Sequence, residues 1–195
     1  TSSFGFDMQK VIPDHRLFNK SLAGGSILDV GLYPVSFSRM IAGAALGKKF
    51  INPKTITGRA KIGETQVDEI SYATLQFENG IIAEAATAIR KEMKNNAIIE
   101  GTKGIIEIDQ PWTPGKEGGP YHSTFKIIIK EQIETIDFKG PEHLFFFEAE
   151  LASKTILQEK TEVTYPGMTW EDTLGNLKTL DEWRKSIGYL LSQDS

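Results

Sequence analysis

The sequence predicts an α+β domain with a large, open, mostly antiparallel sheet and helices on one face. Between Lys54 and Phe138, apolar and polar residues alternate with a period of two, which is typical of strands. Short turns such as Asn79-Gly80 separate these runs, and turns of that length join antiparallel neighbours. Helical spacing is found instead near Leu28 and after Glu142. Strands and helices that are segregated along a chain in this way indicate an α+β fold.

The predicted elements follow from this periodicity. The strands are Ser3–Gln9, Thr55–Ile62, Ser71–Phe77, Ile81–Ile89, Ala97–Glu100, Ile105–Ile108, Thr124–Lys130 and Ile133–Phe138, and the last two helices are Glu142–Glu159 and Trp170–Ile187. An earlier helix is predicted through Leu28–Met40, with Ser26 as its cap and Gly43 at its end. Because Pro34 has no amide hydrogen and disfavours helical geometry at Tyr33, we expect a kink or break there.

The composition excludes several classes of function. With 195 residues, 39% hydrophobic and 25% charged, the chain supports one globular domain with one sizeable core. A formal net charge of -4 with dispersed Lys and Arg gives no basic stripe, so nucleic acid is not an expected partner. No apolar run suits a spanning helix or a signal peptide, so no membrane association is expected. The absence of cysteine excludes disulfides and fits a reducing compartment, so the expected location is cytoplasmic.

Common catalytic and cofactor motifs are absent from the sequence. His15, His122 and His143 lack the spacing of metal ligands, so no metal site is expected. There is no Gly-x-Ser-x-Gly nucleophile elbow, and Gly43–Lys48 lacks the glycine spacing of a P-loop and is predicted to end a helix. No Gly-x-Gly-x-x-Gly follows a predicted strand, so no residue of this chain is predicted to hold a dinucleotide.

One segment has residues suited to catalysis. In Gly24-Gly25-Ser26-Ile27-Leu28-Asp29-Val30-Gly31-Leu32-Tyr33-Pro34, four residues separate Asp29 from Tyr33, a spacing that brings a carboxylate and a phenol to one face of a helix. A phenol can exchange a proton when its pKa falls below about 10, and a carboxylate can hold a substrate hydroxyl. Helix-dipole and packing roles are the more common use of such residues, so the spacing alone leaves both interpretations open.

A family resemblance favours the catalytic interpretation. The stretch Arg16-Leu17-Phe18-Asn19, followed by Ala23-Gly24-Gly25, Asp29, Gly31 and Tyr33-Pro34, resembles the opening of the C-terminal domain in the glucose-fructose oxidoreductase, inositol dehydrogenase and MocA family, in particular its dihydrodiol dehydrogenase-like members. Further matches occur in the same order, at Asn96–Gly104, Pro111-Trp112, Phe147–Glu150, Met168–Asp172, Leu180-Asp181, Arg184 and Gly188. Together they span nearly the whole chain.

The resemblance implies a dihydrodipicolinate reductase-like domain that follows a Rossmann domain and shapes the substrate site. NAD or NADP would be bound mainly by that first domain, which carries a glycine-rich loop and a Glu-Lys-Pro lysine. In this chain Tyr33 matches the family's acid/base position and Asp29 a position that contacts substrate or orients it. Arg16 and Trp112 resemble positions that line the substrate cleft. The family also implies a homodimer, or a higher homo-oligomer, formed through the face of the sheet.

The predicted function is therefore that of a substrate-binding and dimerisation domain over residues 1–195. The enzyme would be an NAD(P)-dependent oxidoreductase that acts on a sugar, polyol or related hydroxy or keto compound. We expect about 120 residues ahead of Thr1, the length of one Rossmann domain, and no activity in the chain alone. The alternatives are an NAD-dependent glycosidase and a non-catalytic sugar-binding or scaffold domain.

The longest irregular stretch, Asp109–Ser123, contains Trp112 and Tyr121. Loops of this length in a compact domain are often functional, so a ligand-facing loop is one interpretation. A surface excursion without function is the other.

Overall fold

The computed structural model describes residues 1–115 and 119–194. Its contacts divide the single predicted domain into two compact units, one formed by residues 1–94 and 174–194 and the other by residues 95–173. We call these unit 1 and unit 2. None of the helices among the described residues is both long and apolar enough to cross a membrane.

The described residues of the two units contain eight strands and four α-helices. The strands are β1 (Ser2–Gly5), β2 (Thr55–Ile62), β3 (Asp68–Gln76), β4 (Ile82–Ala88), β5 (Asn96–Gly101), β6 (Gly104–Asp109), β7 (His122–Ile129) and β8 (Gln132–Lys139), and the helices are α1 (Ser26–Asp29), α2 (Leu32–Ala45), α3 (Leu144–Leu157) and α4 (Trp170–Ser186). The predicted strands are all present, with the first shortened to Ser2–Gly5.

The sheet of unit 1 has the order β2-β3-β4-β1. The pairs β2/β3 and β3/β4 are antiparallel, whereas β1 and β4 are parallel. A single 3₁₀ turn at Glu78–Gly80 joins β3 to β4, with Gly80 at a φ of 77°, so the hairpin predicted from Asn79-Gly80 is confirmed.

The core of unit 1 lies between one face of this sheet and three helices. Ile27 of α1, Val35 of α2 and Trp183 of α4 are buried in one cluster. Alternate residues of β3 point to the same side of the sheet, so Ala73 and Leu75 meet these helices together. The predicted packing of helices on one face is therefore confirmed for unit 1.

The sheet's opposite face in unit 1 is polar. Thr55 donates to Gln76 at 3.0 Å, and Thr74 donates to Glu84 at 2.9 Å. The guanidinium of Arg59 lies over the ring of Tyr72, 4.7 Å from its centroid. These cross-strand pairs suit a surface that faces water.

The predicted irregularity before Pro34 is confirmed, whereas the predicted end of the helix is wrong. The chain forms two helices here, and Pro34 is the third residue of α2, near a helix start, where the missing amide hydrogen costs little. Helix α2 passes Gly43 and ends at Ala45. A Cβ on Gly43 would lie 2.4 Å from the Cα of Phe50, so this glycine permits close packing, and Gly47, at a φ of 69°, follows the true end.

Unit 2 is an antiparallel meander in the order β5-β6-β7-β8, together with α3. Among its described residues only Ala97 and Ile108 are buried. The strand register places an apolar set on one face, which we call the apolar face: Ala97, Ile99, Ile106, Ile108, Phe125, Ile127, Ile129, Ile136 and Phe138. A groove of about 330 Å³ opens on this face beside Ile106 and Ile127.

Candidate functional site

The interruption between α1 and α2 determines where the two predicted catalytic residues lie. Asp29 is the last residue of α1, and Tyr33 is the second residue of α2. A Cβ on Gly31 would lie 2.3 Å from the carbonyl oxygen of Ile27, so the interruption needs a glycine there. Two helices thus meet between Asp29 and Tyr33, as the expected break at Tyr33-Pro34 implies, and whether the two side chains meet one ligand stays a prediction.

Asp29 forms an ion pair with Arg16, another of the predicted site residues. Nη1 of Arg16 donates to Oδ1 of Asp29 at 2.5 Å. The Asp29 side chain is 15% exposed and that of Arg16 is 66% exposed. The ion pair therefore fixes the carboxylate at the surface while the rest of the guanidinium faces outward.

The ion pair forms one wall of a small polar pocket. The pocket measures about 200 Å³ and is also lined by Leu17, Gly24, Gly25 and Leu28. Glycine is required in this wall because a Cβ on Gly24 would lie 2.7 Å from the carbonyl oxygen of Leu17. The glycine thus lets two backbone segments pack closely in this wall, beside a carboxylate and a guanidinium.

Tyr33 is exposed, in the first turn of the helix that follows the ion pair. Its side chain is 42% exposed, and its ring meets the ring of Phe4 edge to face, with centroids 4.9 Å apart. Phe4 belongs to β1, so the strand fixes the direction of the phenol. A tyrosine that packs against an aromatic ring and is 42% exposed can reach a ligand.

A buried carboxylate that the sequence does not single out lies beneath the glycine turn. Asp68, at the start of β3, is fully buried, and its Oδ2 accepts from Ser26 Oγ at 2.6 Å and from the Ile27 amide at 2.9 Å. Burial raises its pKa to about 6, against hydrogen bonds from Ser26, Ser71 and Ile27 that lower it. Because 42 residues separate Asp68 from Ser26 in the chain, only the folded topology brings them together.

The C-terminal segment supports the same turn from another direction. The hydroxyl of Tyr189 donates to the carbonyl oxygen of Gly24 at 2.8 Å. Burial, and next the charge of Asp68, raise the pKa of Tyr189 to about 12, so this phenol stays a donor at neutral pH. Arg184, bonded to Asp181 and Asp194, anchors the backbone near Tyr189. The sequence offers no short-range signal for this contact either.

Comparison with known proteins assigns this arrangement to a family. The GFO/IDH/MocA C-terminal domain profile matches residues 1–107, more than half of the chain. The chain belongs to this family. The resemblance inferred from the Gly24–Tyr33 segment is thereby confirmed.

The related proteins of known activity are dehydrogenases. The trans-1,2-dihydrobenzene-1,2-diol dehydrogenase of Mus musculus is 34% identical over 113 residues, which are 58% of this chain and 31% of that protein. The protein of the same name from Danio rerio is 28% identical over 191 residues, covering 92% of this chain and 51% of its own. The chain thus spans about a third to a half of the length of these relatives.

Solved structures establish the GFO/IDH/MocA fold for the chain. The 3-ketoreductase KijD10 of Actinomadura kijaniata, in complex with NADP and TDP-benzene, has a TM-score of 0.76 at 19% identity, covering 95% of this chain and 52% of its own. The UDP-N-acetylglucosamine 3-dehydrogenase GnnA of Acidithiobacillus ferrooxidans has a TM-score of 0.65 at 13% identity, with 95% and 52% covered. The predicted fold class is confirmed.

The glycine turn of this GFO/IDH/MocA domain does not suit a dinucleotide pyrophosphate. Anion binding at a helix start needs free amides, but the Ile27 amide of α1 already donates to the Asp68 carboxylate. That carboxylate also lies under Gly25, so its charge opposes a phosphate there. The described residues likewise contain no group of three His, Asp or Glu that could hold a metal ion. Substrate orientation and proton transfer are the chemistry this site can perform.

The fourth predicted site residue, Trp112, lies in unit 2. It is half-buried in the segment between β6 and β7. Residues 116–118 of the predicted loop lie outside the described residues. A role for Trp112 at the substrate site stays a prediction.

Proposed function

We propose that this chain is the substrate-binding domain of an NAD(P)-dependent oxidoreductase that interconverts a hydroxyl and a carbonyl group in a sugar, polyol or related diol. The observation that carries the proposal is the Arg16–Asp29 ion pair in the wall of a polar pocket, directly before the exposed Tyr33. The dehydrogenase and ketoreductase names of the relatives support the reaction class.

The proposed roles follow from what each side chain offers. The Tyr33 hydroxyl exchanges a proton with the substrate oxygen, and the Asp29 carboxylate accepts a hydrogen bond from a second substrate hydroxyl. Arg16 holds the Asp29 carboxylate in place, and its outward N–H groups bind further substrate oxygens. The hydride chemistry of such a reaction belongs to the nicotinamide cofactor.

The proposal includes a Rossmann domain that precedes this one in the same polypeptide and holds NAD or NADP. Two observations support it. The sequence contains no dinucleotide-binding motif, and the Asp68 carboxylate already accepts from an amide at the start of α1. The cytoplasm stays the proposed location, since a chain without cysteine suits a reducing compartment.

The activity is tested with the full-length protein. With trans-1,2-dihydrobenzene-1,2-diol, or a panel of sugars and polyols, we expect formation of NADPH or NADH in step with oxidised product, and none from residues 1–195 alone. Hydrolysis of a glycoside without net cofactor turnover would instead establish the glycosidase alternative. Sugar binding without any turnover would establish a binding module.

We also propose that two copies associate through the apolar face of unit 2. Seven large apolar side chains lie half-buried or exposed there, more than monomers usually leave open. Ile127→Glu should therefore yield monomers in sedimentation, because it places a charge in the buried contact. Thr135→Glu, on the other face of β8, is the matched control and should leave assembly intact. A wild-type protein that sediments as a monomer at high micromolar concentration contradicts this proposal.

A further inference from the structure

The first turn of α1 obtains its cap from a distant strand. Gly25 is the N-cap residue and has no side chain that could accept from the first amides. Oδ2 of Asp68 supplies the missing acceptor at 2.9 Å from the Ile27 amide. A helix of only four residues is too short to be stable by its own hydrogen bonds, so this acceptor contributes strongly to forming it.

The same carboxylate ties α1 to two strands. Ser26 and Ser71 donate to Oδ2 at 2.6 and 2.8 Å, and Thr87 of β4 donates to Ser26 Oγ at 2.6 Å. All four side chains are buried. The other oxygen, Oδ1, lies 2.1 Å from the point that a Cβ on Gly25 would occupy. The carboxylate and the glycine turn are therefore fitted to each other.

Asp29 is the nearest functional group that depends on this turn. Its amide donates to the Gly25 carbonyl at 3.3 Å, so the backbone that Asp68 holds also carries Asp29. Arg16 then meets Asp29 at the pocket. Burying a carboxylate among neutral donors is unfavourable for stability alone, which indicates that what it provides is the fixed turn.

We propose that Asp68 is a positioning residue, which holds the first turn of α1 and thereby sets the place of the Asp29 carboxylate and of its Arg16 partner. The inference rests on the proposed function, in which Asp29 contacts the substrate. Asp68 itself does not touch the substrate, because it is fully buried beneath the turn.

A direct test measures the order of the turn without activity. In the full-length protein, Asp68→Ala should speed amide hydrogen exchange over residues 26–31 by about tenfold or more, because the acceptor that caps the helix is lost. Thr179→Val, which removes a buried hydroxyl bonded to Gly175 in α4, should leave that segment unchanged. Ser26→Ala, which deletes one bond to Asp68, should give a smaller increase and serves if Asp68→Ala does not fold. Unchanged exchange in the folded variant overturns the proposal.

A kinetic cycle tests the link to Asp29. With trans-1,2-dihydrobenzene-1,2-diol as probe, Asp68→Ala should lower kcat/KM by about tenfold to a hundredfold through misplacement of Asp29, with the KM for NADP changed less than about twofold. Added to Asp29→Asn, it should cause little further loss, because Asp68 acts through Asp29. Additive losses overturn the proposal. The kinetics of Asp29→Asn, or a lack of turnover with the diol, can show that the proposed function is wrong. In that case the exchange measurement still decides the role of Asp68.

Discussion

Unit 1 and unit 2 differ most in what they bury. Unit 1 has two clusters of buried side chains, one around Trp183 and one around Phe18, and fully buried polar groups such as Asp68. Unit 2 buries only Ala97 and Ile108 among its described residues, and α3 has no buried residue. The side chains of Arg16, Asp29 and Tyr33 thus stand on the unit with the complete core, where packing can hold them precisely enough for chemistry.

The two sheets also differ in the polarity of the side chains on their open faces. In unit 1 the face away from the helices carries threonine, glutamine, glutamate and arginine pairs. In unit 2 the apolar face carries isoleucine, phenylalanine and alanine, with Gln132 and Glu134 beside them on β8. The open face is therefore mostly polar in unit 1 and mostly apolar in unit 2. The proposed division is that unit 1 holds the chemistry and unit 2 the contact between copies.

The largest expected effect tests the chemistry assigned to unit 1. In the full-length enzyme, Tyr33→Phe should lower kcat by about 10²–10⁴-fold, the usual contribution of a positioned acid/base group, with little change in cofactor binding. Steady-state kinetics with the diol measure it. Tyr72→Phe removes a hydroxyl from the other face of the same unit and should leave kcat unchanged. Retention of more than about half of the wild-type kcat/KM by Tyr33→Phe would mean that Tyr33 is a packing residue.

The next effect tests the difference in burial. Leu75→Ala, at a fully buried position of unit 1, should lower the free energy of unfolding by about 2–5 kcal/mol, because it leaves a cavity. Ile133→Ala, at a position of unit 2 that is 65% exposed, should cost less than about 1 kcal/mol. Urea denaturation measures both. Equal losses would show that unit 2 has a core of its own under solution conditions.

The same difference determines how far the sequence could be used for prediction. The two-residue period indicated the strands of both units, because alternation survives whether or not a face is covered. Pro34 predicted the interruption between α1 and α2, since its constraint is local. The sequence predicts a helix end at Gly43, because nothing in it shows that Phe50 packs against this glycine. Glycine at a close contact and glycine at a helix end are alike in a sequence.

The site was predictable only in part for the same reason. Asp29 and Tyr33 lie in one short segment, so their spacing and the family resemblance were enough to select them. Asp68 and Tyr189 reach the glycine turn from β3 and from the C-terminal segment. Contacts over such sequence separations arise from the topology of the fold, and no sequence motif near Asp68 or Tyr189 predicts them.

A smaller effect is the pH dependence that Asp68 gives to unit 1. Burial raises its pKa to about 6 in the folded chain, against an ordinary value of 3.8. Between these values the folded chain keeps a proton that the unfolded chain releases, so the free energy of unfolding falls as pH rises, by up to about 3 kcal/mol. Asp68→Asn should remove this decline from urea titrations carried out between about pH 4 and pH 7. A decline of equal size in the variant would assign it to another group.

The smallest expected effect has the opposite sign and belongs to unit 2. Asp137 on β8 accepts from Thr124 at 2.7 Å and meets His122 at 3.1 Å, and these hydrogen bonds lower the pKa of its half-exposed carboxyl. Its contribution is therefore present above the unfolded pKa and lost as pH falls through the lower folded value, so here stability rises with pH. Because solvent screens an exposed group, the gain in the free energy of unfolding should be small. The part of it that comes from the charge of His122 should shrink further in high salt. Asp137→Asn should reduce the pH dependence of the free energy of unfolding at acidic pH. The decline that Asp68 causes should stay unchanged. If either single variant lost both the decline due to Asp68 and the rise due to Asp137, the two carboxyl groups would titrate as one system. The separation of unit 1 from unit 2 would then not hold for their electrostatics.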